Sequence, residues 1–406
     1  MNAITDQADV FSRFASFTAA NDLIESGLYP CFIPLEGHDG TRARLDGREL
    51  IMCGSNNYLG LTDDPRVRAA AGRALDTYGS SCTGSRFLNG NIDLHQELEK
   101  ELARFLGKPA ALVMSTGYQT NLGVIAGLLT PRDHVVIDKG AHASVVDGCR
   151  LSGAKLRWFP HNDAGALAGV LAGLPDDAPR LVVVDGVYSM EGELCDLPAV
   201  VDVCRRYGAR LLVDDAHGLG VLAGERGTAA HFGLTDEVDL ITVTFSKSLA
   251  SLGGAVAGSE EAIHYLRHHA RSLIFSASMT PANTGAALAA LRVLRDEPEL
   301  TDKLAADAGH LRRGLAAVGI GTGVSATPII PVATHGAIGT LHAWRRLIDS
   351  GVYVNPVLPP AAEPRLRVSL TARHTTAQLD RVVEAFAAVP ELRGSRAYAG
   401  SGTTQS

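Results

Sequence analysis

The 406-residue chain has no run of eighteen apolar residues, so no transmembrane helix is expected. It also has no excess of basic charge. The formal net charge is −7 and the isoelectric point about 6.1, which argues against a general nucleic-acid or membrane-surface role. Met1–Phe11 carries two acids and no basic stretch, so no signal peptide is expected. The six cysteines (Cys31, Cys53, Cys82, Cys149, Cys195, Cys204) form no C-x-x-C pair and have no histidines at zinc-site spacing. That points to reduced thiols in the cytoplasm. His264 and His268 are spaced i,i+4 but lack a third ligand, so no metal is expected. No internal repeat is evident, and Gly319, Gly321 and Gly323 lack the context of a dinucleotide fingerprint.

What is present suits a globular enzyme with one large and one smaller domain. Residues 8–28 read as an amphipathic helix. Thr41–Met52 reads as a hairpin around Asp46-Gly47. Helices are predicted over Pro65–Tyr78, His95–Leu106, Gln119–Leu129 and Ala199–Tyr207. Short apolar strands lie between them at Ala110–Met114, His134–Ile137, Lys155–Phe159, Leu181–Asp185, Arg210–Asp214 and Leu240–Thr244. Apolar strands alternating with helices imply an α/β fold with a mostly parallel sheet buried on both faces. Active-site groups then gather at the carboxyl ends of the strands, where Asp185, Asp214 and Thr244 stand. After Pro281 come a long helix (Ala282–Arg295), a proline-rich stretch, a strand (Leu366–Leu370) and a closing helix (Thr376–Ala388). The expected organisation is an N-terminal arm over 1–52, a large domain over 53–290 and a small α+β domain over 291–392. A disordered Gly/Ser/Thr-rich tail is expected over 393–406.

One constellation carries chemistry. Lys247 lies among hydroxyls and glycines in TFSKSLASLGG (244–254). About thirty residues earlier an apolar strand ends at Asp214, with His217 three residues on. A lysine amine can form a Schiff base with an aldehyde cofactor, and an Asp can keep a pyridine nitrogen protonated. That is the donor set pyridoxal 5'-phosphate (PLP) requires. Gly117, in a turn opening a helix, suits a phosphate, and Thr244 and Ser246 would add hydroxyl donors. His217 can donate to the cofactor's phenolic oxygen, with Ser189 as a second donor. His142 can stack on a planar ring, and Arg367 can grip a substrate carboxylate bidentately. Each position also fits a structural role. Asp214 could be a helix N-cap, His142 a satisfied structural histidine and Arg367 a solvated arginine on an edge strand.

Taken together, the segments resemble a known family. SNNYLGL (55–61), GSRFLNGNIDLHQELE (84–99), STGYQTN (115–121), AHASVVDG (141–148), DGVYSMEGEL (185–194), VDDAHGLG (213–220), TFSKSLASLGG (244–254) and RVSLTARHT (367–375) look like the α-oxoamine synthases. The resemblance spans residues 20–390. It implies the type I aminotransferase-like fold and the condensation of an amino acid with an acyl thioester, with loss of CO2. It also implies PLP bound to Lys247, Asp214 as pyridinium partner and His217 as phenolic-oxygen donor. His142 would stack on the ring, and Gly117, Tyr118, Thr244 and Ser246 would surround the phosphate. Asn56 and Arg367 become substrate contacts. Ser276 and Ser278 resemble the segment that reaches the phosphate from the other subunit, which implies a homodimer with a shared site. Phe87 follows Arg86 where the aminolevulinate synthases carry a polar residue, which favours an apolar acyl chain.

Residues 267–282 and 84–95 are similar to the soluble bacterial serine palmitoyltransferases, which implies serine and a long-chain acyl-CoA. Two other reactions stay open. One is the same condensation on alanine or glycine with an acyl group on a carrier protein. The other is transamination, which would release no CO2. A non-catalytic partner subunit would normally lack Lys247.

Overall fold

The computed structural model describes residues 10–11, 14, 17–222, 226–323, 325–359, 361–392 and 394. The tail expected to be disordered lies outside them apart from Gly394, as do several positions of the expected helix over 8–28. Within that span the described residues include a helix over Ala19–Glu25, and Phe14 is also helical.

The first strands are β1 (Gly37–His38), β2 (Arg42–Leu45) and β3 (Arg48–Met52). Asp46 and Gly47 join β2 to β3 with φ of 50° and 71°, the left-handed pair a two-residue hairpin needs. Seven further strands follow: β4 (Ala110–Met114), β5 (His134–Asp138), β6 (Lys155–Phe159), β7 (Arg180–Asp185), β8 (Arg210–Asp214), β9 (Leu240–Thr244) and β10 (Gly254–Gly258). Last come β11 (Ile329–Ala333), β12 (Val352–Tyr353), β13 (Asn355–Val357) and β14 (Arg365–Ser369).

Strands β4 to β10 build one sheet in the order β4-β10-β9-β8-β7-β5-β6. Neighbours from β9 to β6 pair in parallel, and β10 runs antiparallel to both β9 and β4. Both faces are buried, as the unbroken apolar runs predicted. Val182, Val184 and Val213 face one core, while Leu181, Val183 and Leu212 face the other. Each fully buried Val or Leu contributes roughly 1.5–3 kcal/mol. The parallel arrangement brings Asp138, Asp185, Asp214 and Thr244 to the same edge of the sheet.

The antiparallel β10 was not foreseen, because Gly-Ala-Val-Ala-Gly has too little bulk to signal a strand. A second sheet has the order β1-β2-β3-β12 and a third the order β11-β14-β13. Arg367 therefore sits on the central strand of the third sheet and is 5% exposed. This corrects the edge-strand alternative. The chain returns to its start here: Ser369 N donates to Cys53 O at 2.7 Å and Ala372 N to Tyr58 O at 2.7 Å. Among the described residues no helix is long and apolar enough to cross a membrane.

Candidate active site

A cavity of ≈ 250 Å³ opens at the carboxyl edge of the large sheet. Thr116, Gly117, Tyr118, His142, Asp214, His217, Thr244, Ser246 and Lys247 are among its lining residues. Its floor at one point is the start of the helix Gly117–Leu128. Thr116 caps this helix, accepting from Gln119 N at 3.0 Å. The backbone N–H groups of Gly117 and Tyr118, ahead of Gln119 in the first turn, remain for a ligand, and the positive end of the helix dipole lies there. Glycine is needed at 117 for space. A Cβ there would stand 2.7 Å from both Cβ and Oγ1 of Thr244. Thr244 Oγ1 lies 2.8 Å from Ser246 Oγ, so two hydroxyls flank the helix start. Tyr118 closes the rim, hydrogen-bonded to Asp147.

Lys247 reaches the cavity from the loop after β9. Burial pushes its amine down from 10.5 to about 8; Asp214 and Asp185 oppose the shift and Arg367 assists it. Asp214 is buried at the end of β8. Ala216 N donates to its Oδ1 at 3.1 Å, and Asn121 Nδ2 to its Oδ2 at 2.6 Å. An ionised carboxylate needs such donors when buried. Asp185 lies beside Asp214 in the β7–β8 register. Burial and the Asp214 charge raise its carboxyl well above the usual range.

Asn121 is held in one orientation. Its Oδ1 accepts from Thr242 Oγ1 at 2.8 Å, which turns the amide nitrogen toward Asp214 and toward Ser144 Oγ at 2.9 Å. Ser144 Oγ in turn lies 2.8 Å from His142 Nδ1. His142 caps the helix Ala143–Ser152, its Nδ1 accepting from Ser144 N, and its ring meets that of Tyr118 edge-on at 6.3 Å. Burial lowers its pKa from 6.5, with Lys247 adding to the effect and Asp214 opposing it.

A second network lies behind His217. Its Nδ1 is 2.7 Å from Tyr58 Oη, and Tyr58 is fully buried. Tyr58 Oη also receives Arg367 Nη2 at 3.3 Å and lies 3.2 Å from Asn56 Oδ1. Arg367 further donates to Asn56 Oδ1 at 3.0 Å, Ser369 Oγ at 2.8 Å and Ser189 O at 2.6 Å. Four of its five N–H groups thus meet protein acceptors. Burial drives the imidazole of His217 well below 6.5, and Lys247 and Arg367 push the same way. Tyr58 and Asn121 were not singled out by sequence reasoning, although both lie inside quoted motifs.

Six expected residues are absent from the lining of this cavity: Asn56 and Arg367, in the network behind His217, and Ser189, Phe87, Ser276 and Ser278. Ser189 O accepts from Arg367 Nε at 2.6 Å. Phe87 is 51% exposed and packs edge-on against His268 at 6.2 Å. Ser276 Oγ accepts from Gln119 Nε2 at 3.0 Å, and Ser278 Oγ donates to Gly84 O at 2.8 Å. A neighbouring cavity of ≈ 560 Å³ shares Lys247, Ser246 and Leu252 with the first, and Met52, Gly54, Tyr353 and Asn355 help to line it. Among the described residues no cluster of three His, Cys, Asp or Glu could hold a metal.

An amine with a depressed pKa, a donor-held buried carboxylate and a helix N-terminus in one cavity define a fold-type shared with known enzymes. The profile of the class I and II aminotransferases matches residues 48–386. A serine palmitoyltransferase of Sphingobacterium spiritivorum is 46% identical over 377 residues, covering 92% of this chain and 94% of the relative. An 8-amino-7-oxononanoate synthase of Geobacter sulfurreducens is 43% identical over 379 residues, covering 92% and 97%. A solved serine palmitoyltransferase with its PLP internal aldimine superposes with a TM-score of 0.91 at 36% identity, covering 94% of this chain and 98% of that one. The chain belongs to the class I and II aminotransferase family and, within it, to the α-oxoamine synthases.

Proposed function

We propose that the chain is a PLP-dependent acyltransferase that condenses serine with a long-chain acyl-CoA, releasing CO2 and the free thiol. The decarboxylative condensation of an amino acid with an acyl thioester is the reaction of the family. The cofactor is pyridoxal 5'-phosphate, and the donor set fits it. Lys247 offers an amine with a pKa of about 8, and Gly117 leaves the room a phosphate needs beside Thr244. Lys247 is the single observation that carries the reading. When bound, the cofactor supplies an electron sink for the bonds at the amino acid's α-carbon.

The chain's own groups supply the rest. With the cofactor bound, Asp214, held by Asn121 and Ala216, would partner the ring nitrogen. His142 would stack on the ring and His217 would donate to the phenolic oxygen. Gly117, Tyr118, Thr244 and Ser246 would hold the phosphate, with Ser276 and Ser278 reaching it from the second protomer of a homodimer. Arg367 and Asn56 orient the substrate carboxylate. The Lys247 amine would take the α-proton, a task that suits a pKa near the working pH. The protein works in the cytoplasm.

Serine is supported by the 46% identical serine palmitoyltransferase. A second reading is favoured by the synthase relative. Its named product places an amine on C8 beside a ketone on C7 of a nine-carbon chain, leaving a methyl end that alanine would supply. The test is absorbance from about 300 to 550 nm of the PLP-loaded protein, titrated with serine, alanine and glycine. Thiol release from a panel of acyl-CoAs follows. A band that shifts with serine, with thiol released from long-chain acyl-CoA, supports the proposal. A shift and thiol release with alanine alone moves the assignment to the second reading, and no visible band after loading refutes both.

A further inference from the structure

Tyr58 is buried, shares no surface with the cavity and has no part in the reading above, yet its hydroxyl joins three groups of the site. It lies 2.7 Å from His217 Nδ1 and 3.2 Å from Asn56 Oδ1, and it receives Arg367 Nη2 at 3.3 Å. A phenol has one hydrogen to give. The arginine, always cationic, occupies one lone pair of the oxygen. The hydrogen must then go to His217 or to Asn56. The bond to the imidazole is shorter by half an ångström, and Asn56 Oδ1 already accepts from Arg367 Nη1 at 3.0 Å. The imidazole is neutral, since burial and the neighbouring cations disfavour its charged form. A neutral ring accepting at Nδ1 carries its proton on Nε2. With Nδ1 turned to Tyr58, Nε2 is left for the cavity that His217 lines.

We infer that Tyr58 is a positioning residue that locks His217 as the Nε2–H tautomer, so that His217 is a hydrogen-bond donor and not an acceptor toward the cavity. The catalytic consequence rests on the proposed function, because the acceptor there would be the phenolic oxygen of PLP. The hydroxyl also ties this donor to Arg367. A substrate carboxylate that draws Arg367 Nη2 away from Tyr58 would leave the phenol oxygen with a lone pair to spare. His217 is thereby linked to the substrate-side arginine through a single buried atom.

The tautomer can be read directly. Full-length protein labelled with 15N-histidine is compared with Tyr58→Phe, before and after loading with PLP, using His217→Asn only to assign the resonance. The expected wild-type signature is an unprotonated Nδ1 and a protonated Nε2 without cofactor, with the Nε2–H share falling in Tyr58→Phe. An Nδ1–H tautomer in the wild type, or an unchanged tautomer in the variant, overturns the inference. Should Tyr58→Phe fail to fold, the wild-type spectrum alone decides. In the loaded protein, losing a donor to the phenolic oxygen should raise the titration midpoint of the visible band. The expected rise is roughly one pH unit, the scale of one hydrogen bond to a charged group. An unmoved midpoint overturns the inference as well. Failure of the wild type to take up PLP would sink the functional reading, while the tautomer measured without cofactor would still decide this one.

Discussion

Replacing His161 by glutamine should cost stability in a way that depends on pH in a defined direction. His161 Nδ1 lies 2.8 Å from Asp138 Oδ1 and its Nε2 3.7 Å from Glu193 Oε2. Burial pushes the imidazole down, but the hydrogen bond to Asp138 and the nearby carboxylate of Glu193 outweigh it and hold the pKa up at about 10, against 6.5 for a free ring. A group whose pKa is raised by folding stabilises fully below its unfolded value. That contribution is lost as pH climbs through the folded value. The window therefore runs from about pH 6.5 to about pH 10. At about 1.4 kcal/mol per pH unit the interval caps the contribution near 5 kcal/mol. Breaking a buried ion pair costs about 3–5 kcal/mol. Since Glu193 is partly solvated, about 3 kcal/mol is expected for His161→Gln at pH 6.5. Urea unfolding of both proteins across this range, followed by far-ultraviolet circular dichroism, gives the difference. Other titrating groups are common to both proteins and cancel. A gap that stays constant, or widens toward pH 10, would refute the reasoning. The site should feel the change too. Tyr188 Oη donates to Asp138 Oδ2 at 2.9 Å, and the next residue holds Arg367 through its carbonyl. The KM for the amino acid should therefore rise.

Asn121→Ala removes the donor to Asp214 and leaves Thr242 Oγ1 without its acceptor. A charge-assisted bond is worth about 1.5–3 kcal/mol, so PLP affinity should fall roughly 10- to 100-fold in an absorbance titration, and an unchanged Kd would dissociate Asn121 from the Asp214 role. Gly117→Ala forces a Cβ into Thr244; overpacking of about 1–3 kcal/mol should weaken cofactor binding by a similar factor with the fold intact by circular dichroism. The rate at which the cofactor-free protein captures PLP should rise with pH around a midpoint of about 8, because only the uncharged amine attacks. A midpoint near the ordinary lysine value would show that burial does not tune Lys247.

Much of the large sheet was legible because its strands announce themselves twice, by β-branched runs and by a terminal Asp or Thr. Arg210–Asp214 and Leu240–Thr244 came out with their boundaries intact. β10 was not legible, since small residues chosen for close approach give no hydrophobic signal. Gly254 shows why they are small: a Cβ there would come within 2.8 Å of Gly117 N. The carboxyl-edge residues of the site followed from the fold class. The outward turn of Phe87 was not legible, because adjacency to Arg86 says nothing about which way an exposed loop side chain turns. Arg86 pairs inward with Glu99 at 2.9 Å while Phe87 faces out. Tyr58 and Asn121 were missed for another reason. A tyrosine in a loop and an asparagine in a helix carry chemistry here only through partners about 160 and 90 residues away, and no local pattern records such pairs.

The return of the chain at Ser369 and Ala372 onto Cys53 and Tyr58 has a bearing on biosynthesis. Lys247, Asp214 and Gly117 are all translated well before residues 365–374, and chains begin to fold from the N-terminus as they emerge. The segment carrying Asn56 and Tyr58 waits for its backbone partners until the C-terminal strand arrives, and Arg367 arrives on that same strand. A nascent or truncated chain would thus assemble the anchor for the phosphate first and acquire the means to orient an amino acid last. Premature termination near the end of the message would leave a protein that sequesters cofactor without turning over substrate.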